Sequence, residues 1–155
     1  MVKKKKKSAP PSAIVNRRAR FDYELGDEVV AGLVLTGPEV RAARTGAIGL
    51  KGAFVTLRNG SLWLNNASFT LPSTADGRTT AVDSTPRKLL AHQRQIGSLE
   101  VSKQSGMTIV PLRLLTGGRY IKLVIAVGKG KKNYDKRQAI KKRDQERDNR
   151  NLIRP

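Results

Sequence analysis

Apolar positions along this chain come in alternation or in short unbroken runs punctuated by turn residues, so its middle reads as strands with two helical interruptions. Residues 54 to 64, Phe-Val-Thr-Leu-Arg-Asn-Gly-Ser-Leu-Trp-Leu, are the clearest case. Asn59-Gly60 is the preferred pair for a two-residue type I′ turn, in which both positions need positive φ. That turn pairs Arg58 with Ser61 and so places Leu57 beside Leu62 and Val55 beside Leu64. Four aliphatics then share one face while Thr56 and Trp63 share the other. A second hairpin is predicted over Met107 to Val127 around Thr116-Gly117-Gly118, with Val110, Leu112 and Leu114 facing Ile121, Leu123 and Ile125. Pro111 has no N–H to give to a ladder, which puts its strand at an edge or in a bulge. Residues 28 to 35, Glu-Val-Val-Ala-Gly-Leu-Val-Leu, form another strand in which Gly32 can mark a bend.

Thr36-Gly37-Pro38-Glu39 carries a capping box with Pro in the first turn, and Thr45-Gly46 is a stop, so a short helix is predicted near residues 37 to 45. A longer helix is predicted after Thr85-Pro86, running towards Lys103, with Leu89, Ile96 and Leu99 on one side and Arg87 and Arg94 on another. Many short strands with helices at the joints predict a mainly β fold: a small antiparallel barrel of the OB type with two to three helices and a basic C-terminal tail. Partial closure hides strand edges that a chain of this length would otherwise expose.

Charge changes the picture at both ends. Lys plus Arg number 31 against 12 Asp plus Glu, for a net charge of +19. Residues 1 to 20 hold eight cations (Lys3 to Lys7, Arg17, Arg18, Arg20) and no acid, and residues 128 to 155 hold eleven cations and four acids. The stretch between them, which holds most of the apolar residues, is only +4. Like-charged arms cannot bury enough apolar surface to fold alone. The expected organisation is a basic disordered arm over 1–13, the barrel over 14–128, and a basic tail over 129–155, disordered when free and helical when a negatively charged surface supplies the missing contacts. Lys3 to Lys7 read either as a solvated tail or as a phosphate-contacting arm. The tail offers only Ala139, Ile140, Leu152 and Ile153 as apolar residues in 135 to 153, with no continuous stripe for a core.

Candidate chemistry is sparse. With no Cys and a single His, disulfides, Cys-ligated metals and Cys-His catalysis are excluded, and neither a metal nor another cofactor is expected. No apolar run approaches 20 residues, so no membrane partner is expected. The Lys-rich start leads into Ser, Ala and Pro, not an apolar stretch, so no secretory signal is expected and the location is read as cytoplasmic. His92 reads as a surface or half-buried helical residue, and Glu39 is accounted for by its capping position. Gly128-Lys129-Gly130-Lys131-Lys132 lacks the spacing of a nucleotide-binding phosphate loop. Its glycines and lysines instead suit close approach to a nucleic-acid backbone.

Four separated motifs, Asn16-Arg17-Arg18-Ala19-Arg20, Ala31-Gly32-Leu33-Val34-Leu35-Thr36-Gly37-Pro38-Glu39-Val40-Arg41, Arg87-Lys88-Leu89-Leu90 and Gly130-Lys131-Lys132-Asn133-Tyr134-Asp135-Lys136-Arg137, occur in this order. Together they resemble the SmpB family, the tmRNA-binding proteins of bacterial trans-translation, over roughly residues 14 to 150. The resemblance implies an OB-type barrel that binds the tRNA-like domain of tmRNA and stands in for its missing anticodon arm. It also implies a C-terminal tail that works at the small-subunit decoding region and in the empty mRNA channel of a stalled ribosome, with elongation factor Tu engaged indirectly through aminoacylated tmRNA. By resemblance, Asn16, Arg17, Arg20, Glu39, Arg41, Lys88, Leu90 and Lys122 build or support the tmRNA surface, Leu90 fitting a core position equally. Lys131, Lys132, Tyr134, Lys136 and Arg137 belong to the ribosome-directed tail.

Two positions depart from the family pattern. Val30 stands where many relatives carry an acidic residue, so that contact is absent or supplied by a neighbour such as Glu28. Tyr134 stands where relatives often carry His, which keeps a stacking ring but not the imidazolium charge. Residues 71 to 82 match poorly. Three classes compete: an RNA-binding adaptor, a structural ribosomal protein binding rRNA, and a nucleic-acid enzyme. Composition does not separate the first two, whereas the ordered motifs favour the adaptor. No paired carboxylate, metal or nucleophile constellation supports the enzyme, so no catalytic residues are expected.

Overall fold

The computed structural model describes residues 13–72 and 80–153. Lys3 to Lys7, Arg154 and the middle of the poorly matching 71–82 stretch lie outside the described residues. In chain order the elements are β1 (Ala13–Val15), α1 (Arg17–Asp22), β2 (Tyr23–Leu33), α2 (Gly37–Thr45), β3 (Ile48–Gly49), β4 (Phe54–Arg58), β5 (Ser61–Asn65), β6 (Ser68–Pro72), β7 (Thr80–Asp83), β8 (Arg87–Leu90), α3 (Gln93–Gln104), β9 (Thr108–Leu115), β10 (Lys122–Gly130) and α4 (Asn133–Leu152).

The β4–β5 hairpin has the register its turn dictates. Asn59 and Gly60 take φ of 48° and 70°, and Arg58 pairs with Ser61, Leu57 with Leu62, Thr56 with Trp63 and Val55 with Leu64. From there the sheet closes on itself: β9, β10, β2, β8, β5 and β4 are neighbours in that order, and β4 returns to β9 through Val55 and Ile109. All of these pairings are antiparallel. Beyond that contact, β1 takes the far end of β9. The result is the mainly β, OB-like ring that the strand pattern predicts. Its interior is filled by Ala31, Leu33, Val55, Leu62, Leu64, Leu89, Ile109, Leu114, Leu123 and Ile125. A three-stranded sheet, β3-β6-β7, stands apart from the ring and carries the buried Phe69.

Helix α2 forms as its sequence dictates. The Thr36 amide donates to Glu39 Oε2 at 2.8 Å, Pro38 lies in the first turn, and Gly46 ends the helix at φ 80°. The strand predicted over 28 to 35 starts earlier, at Tyr23, and stops at Leu33.

Two expectations are corrected. Arg87-Lys88-Leu89-Leu90 is a strand, not the first turn of a helix. Its residues alternate buried, exposed, buried, exposed, and they fill the gap between β2 and β5 through Gly32–Leu90, Leu62–Leu89 and Leu64–Arg87 pairs. Helix α3 begins only after His92, an exposed N-cap whose amide donates to Gln95 Oε1 at 3.1 Å. Leu89 does share the core with Ile96 and Leu99, but it arrives there from a strand.

The second correction concerns the β9–β10 hairpin. Leu114 faces the core opposite Leu123, but the register slips by one residue between Val124 and Ile125. Of the two readings of Pro111, the bulge holds. The slip turns Val110 and Leu112 to the outer side, where they pack with Val124, Ala126 and Ala19 of α1 in a second, smaller core. One extra residue in a strand inverts the facing of everything beyond it.

Candidate nucleic-acid interface

The outward side of β10, β2 and β8 places several of the expected residues together. Lys122, Gly32 and Leu90 form one cross-strand row, and Lys88, two residues before Leu90, lies on the same face. At a strand spacing of about 4.8 Å, Lys122 and Leu90 stand about 10 Å apart. Lys122 and Lys88 are exposed. Leu90 is 57% exposed while its neighbour Leu89 is buried, so Leu90 is a surface residue and not core. A Cβ at Gly32 would meet the Leu90 Cβ at 3.5 Å, an ordinary contact, so glycine there leaves a shallow gap between Lys122 and Leu90. Val30, 49% exposed, continues the face. Two residues along from it, Glu28 ion-pairs with Arg113 at 3.6 Å, so a carboxylate does stand beside Val30.

Helix α1 roofs the next part of the same outer side. Asn16 is buried. Its backbone N–H donates to the Leu112 carbonyl at 2.7 Å and its Nδ2 to the Pro111 carbonyl at 2.9 Å, which satisfies the acceptors that the bulge leaves unpaired. Asn16 thus supports the face from beneath, whereas Arg17 and Arg20 are exposed on it. Between α1, β9 and α4 runs a cleft of about 960 Å³ bordered by Arg17, Arg20, Phe21, Arg113, Ile140 and Arg143. Cations set around an aromatic and an aliphatic side chain offer both charge for phosphates and an apolar floor for sugars or bases.

Glu39 does more than cap α2. Its Oε1 accepts from Arg87 Nε at 3.0 Å and Nη2 at 2.9 Å, while Arg87 also donates to the Thr85 carbonyl at 2.6 Å and to Asp83 Oδ2 at 3.0 Å. The guanidinium carbon sits 3.8 Å from the centroid of the Phe69 ring. This buried knot ties α2 to β8, and so ties Arg41 to Lys88 and Leu90. The Asp83 carboxyl is held below its usual range, first by the Thr85 backbone amide and side chain and then by Arg87.

Arg41 is exposed on α2. One turn on, Arg44 donates to the carbonyls of Thr116, Gly118 and Arg119 at 3.3, 3.1 and 3.3 Å, pinning the loop that leads to Lys122. Neither Arg87 nor Arg44 stands out as a support in the sequence, because each meets partners far along the chain. The only local signal is Glu39, whose capping position hides its second partner.

The tail residues divide into two groups. The Lys131 amide donates to the Asp22 carbonyl at 2.9 Å and its Nζ to the Arg20 carbonyl at 3.1 Å, and Lys136 Nζ pairs with Asp22 Oδ1 at 3.1 Å. Partial burial pushes the Asp22 carboxyl up, and Lys136 and Arg18 together outweigh it, leaving the group below its usual value. Lys132 is the N-cap of α4, and it, Tyr134 and Arg137 are exposed, Tyr134 at 59%. The helix has no buried residue. Upstream, a Cβ at Gly128 would stand 3.0 Å from the Tyr23 Cβ, so this glycine is needed for strand packing; at Gly130 the space is open. Among the described residues no helix is long and apolar enough to cross a membrane.

The family model described as SmpB protein matches residues 13–155. The SsrA-binding protein of Azorhizobium caulinodans is 43% identical, covering 99% of this chain and 98% of the relative. The SsrA-binding protein of Streptococcus pneumoniae is 42% identical over 86% of each chain. A solved structure described as "tmRNA-SmpB: a journey to the center of the bacterial ribosome" superposes with a TM-score of 0.64 at 32% identity, covering 84% of this chain and 95% of that one. With the motifs in order, the OB-like ring beneath them and a family match that spans nearly the whole chain, this protein belongs to the SmpB family.

Proposed function

We propose that this chain is an RNA-binding adaptor that binds the tRNA-like domain of tmRNA and helps deliver it to stalled ribosomes for trans-translation. The observation that carries the reading is the exposed outer face in which Lys122, Leu90 and Lys88 stand together on adjoining strands, with Arg17 and Arg20 beside them. Asn16 and Glu39 support that face through the bulge and the Arg87 knot, which also anchors α2 with its exposed Arg41. Basic side chains at this density take up phosphates, and the exposed Leu90 and the gap at Gly32 give the RNA a fitted apolar contact.

The tail has a separate role in this proposal. Lys131, Lys132, Tyr134, Lys136 and Arg137 meet ribosomal RNA near the small-subunit decoding region, and the rest of α4 occupies the vacant mRNA channel. A helix with cations on every side and no buried residue suits a partner whose charge surrounds it. Elongation factor Tu takes part indirectly, through the aminoacylated tmRNA.

A chain ending at Lys132 tests the division. It keeps the ring and the outer face of β10, β2 and β8 and loses a helix without buried residues, with it the Ile140 and Arg143 rim of the cleft, so it should fold and still bind tmRNA while tagging of the nascent peptide stops. Affinity and peptide transfer are measured separately, with ribosomes stalled on a message lacking a stop codon. Normal tagging by the truncated chain would remove the role of the tail, and loss of tmRNA binding would move the RNA surface into it.

A further inference from the structure

Trp63 is the chain's one tryptophan, and the Asn59-Gly60 register turns it away from the core. Leu62 and Leu64 on either side of it are buried. Trp63 lies half-buried on the outer face, in a cross-strand row with Thr56 on one side and Lys88 on the other. Arg58 and Ser61 form the next outward pair. Trp63, Arg58, Ser61, Asn59 and Pro86 border an open cleft of about 450 Å³, roomy enough for a nucleobase, and Lys88 stands beside Trp63 in the adjoining strand. Among the described residues neither Arg58 nor Lys88 is engaged in an ion pair.

We propose that Trp63 is a stacking platform for one unpaired nucleobase, with Arg58 and Lys88 taking the phosphates on either side. The inference rests on the tmRNA reading above and extends the same face by one strand, from β8 to β5. An indole presented beside two unengaged cations offers what single-stranded RNA needs: a flat apolar surface for the base and charge for its backbone. The Thr56 hydroxyl oxygen already accepts from Asn65 Nδ2 at 2.8 Å, so the row provides stacking and charge more than edge reading. The site therefore tolerates any of the four bases.

Because no other tryptophan is present, fluorescence excited at the red edge, where the tyrosines do not absorb, reports this site alone. Titration of the full chain with a tmRNA transcript should quench the emission and reduce acrylamide access in proportion to the bound fraction, itself measured by filter binding. Trp63→Leu should bind about tenfold more weakly at unchanged melting temperature, with Trp63→Phe between it and the wild type. Unchanged emission and acrylamide access at saturation overturn the stacking site and leave the tmRNA reading standing, as does a folded Trp63→Leu protein with wild-type affinity. Absence of saturable binding by the wild-type chain overturns both. The fluorescence arm needs no variant, so it stands even where Trp63→Leu folds poorly.

Discussion

Glu39 shows how one side chain can carry two structural tasks. One carboxylate oxygen holds the first turn of α2 and the other holds the Arg87 guanidinium, whose charge is out of water. Removing one partner of a buried pair is costly chiefly because the remaining charge is left uncompensated. Glu39→Ala should therefore lower stability by about 3 kcal/mol, the low end of the usual range for such a loss because Asp83 still faces the guanidinium. Chemical denaturation checks this, and a change under 1 kcal/mol would mean that Asp83 alone suffices. Arg44 poses the complementary question. Lysine keeps its charge but cannot offer a planar fork to three carbonyls, so Arg44→Lys should speed hydrogen exchange in the 116–121 loop as Arg44→Ala does. Protection equal to wild type in the lysine variant would show that charge, not the fork, holds the loop.

At the scale of elements, α4 is the part whose attachment is weakest. It lies against α1 through Lys136 and Asp22, with Ile140 and Arg143 at the rim of the cleft, and nothing in it is buried. The Asp22 carboxyl sits below its ordinary 3.8 in the folded chain. The pair's contribution is thus complete at neutral pH and lost as the pH falls through that lowered value, where the carboxyl takes up a proton. Acidification below about pH 3.8 should release α4 from α1. Asp22→Asn should release it at every pH. Hydrogen exchange of the 131–136 amides reads both, and protection that persists in Asp22→Asn would assign the docking to the backbone contact of Lys131 instead. Tyr134, close by on the same helix, is exposed, so its ring is free for the stacking contact proposed above.

For the whole molecule the governing quantity is charge. A net +19 on a chain whose apolar middle is nearly balanced means that RNA binding releases many counterions, so log K should fall steeply and linearly with log salt. Lys122 is exposed, and its strand neighbours Ile121 and Leu123 are buried. Lys122→Ala should leave the melting temperature unchanged, weaken tmRNA binding, and reduce the salt slope by roughly 0.7 to 0.9, the share of one phosphate contact. Filter binding across a salt series measures the slope. A lower melting temperature with an unaltered slope would make Lys122 a structural residue.

What the sequence determined by itself is what short-range chemistry dictates. The Asn59-Gly60 turn sets the register of β4 and β5 because two positive φ angles admit few alternatives, and the Thr36–Glu39 box starts α2 because donor and acceptor lie three residues apart. The segregation of charge into the ends, and the four ordered motifs, were likewise legible without coordinates. The tertiary structure decided whatever depends on partners far along the chain. Arg87-Lys88-Leu89-Leu90 has helix-forming composition, yet the open slot between β2 and β5 makes it a strand, since ladder hydrogen bonds and a buried Leu89 outweigh a propensity of tenths of a kcal/mol per residue. The bulge at Leu112, next to Pro111, puts Val110 and Leu112 on the outer side, where α1 supplies a second core to receive them. Arg87 meets Glu39 across 48 residues and Arg44 meets Thr116 across 72, separations at which no local pattern records the contact.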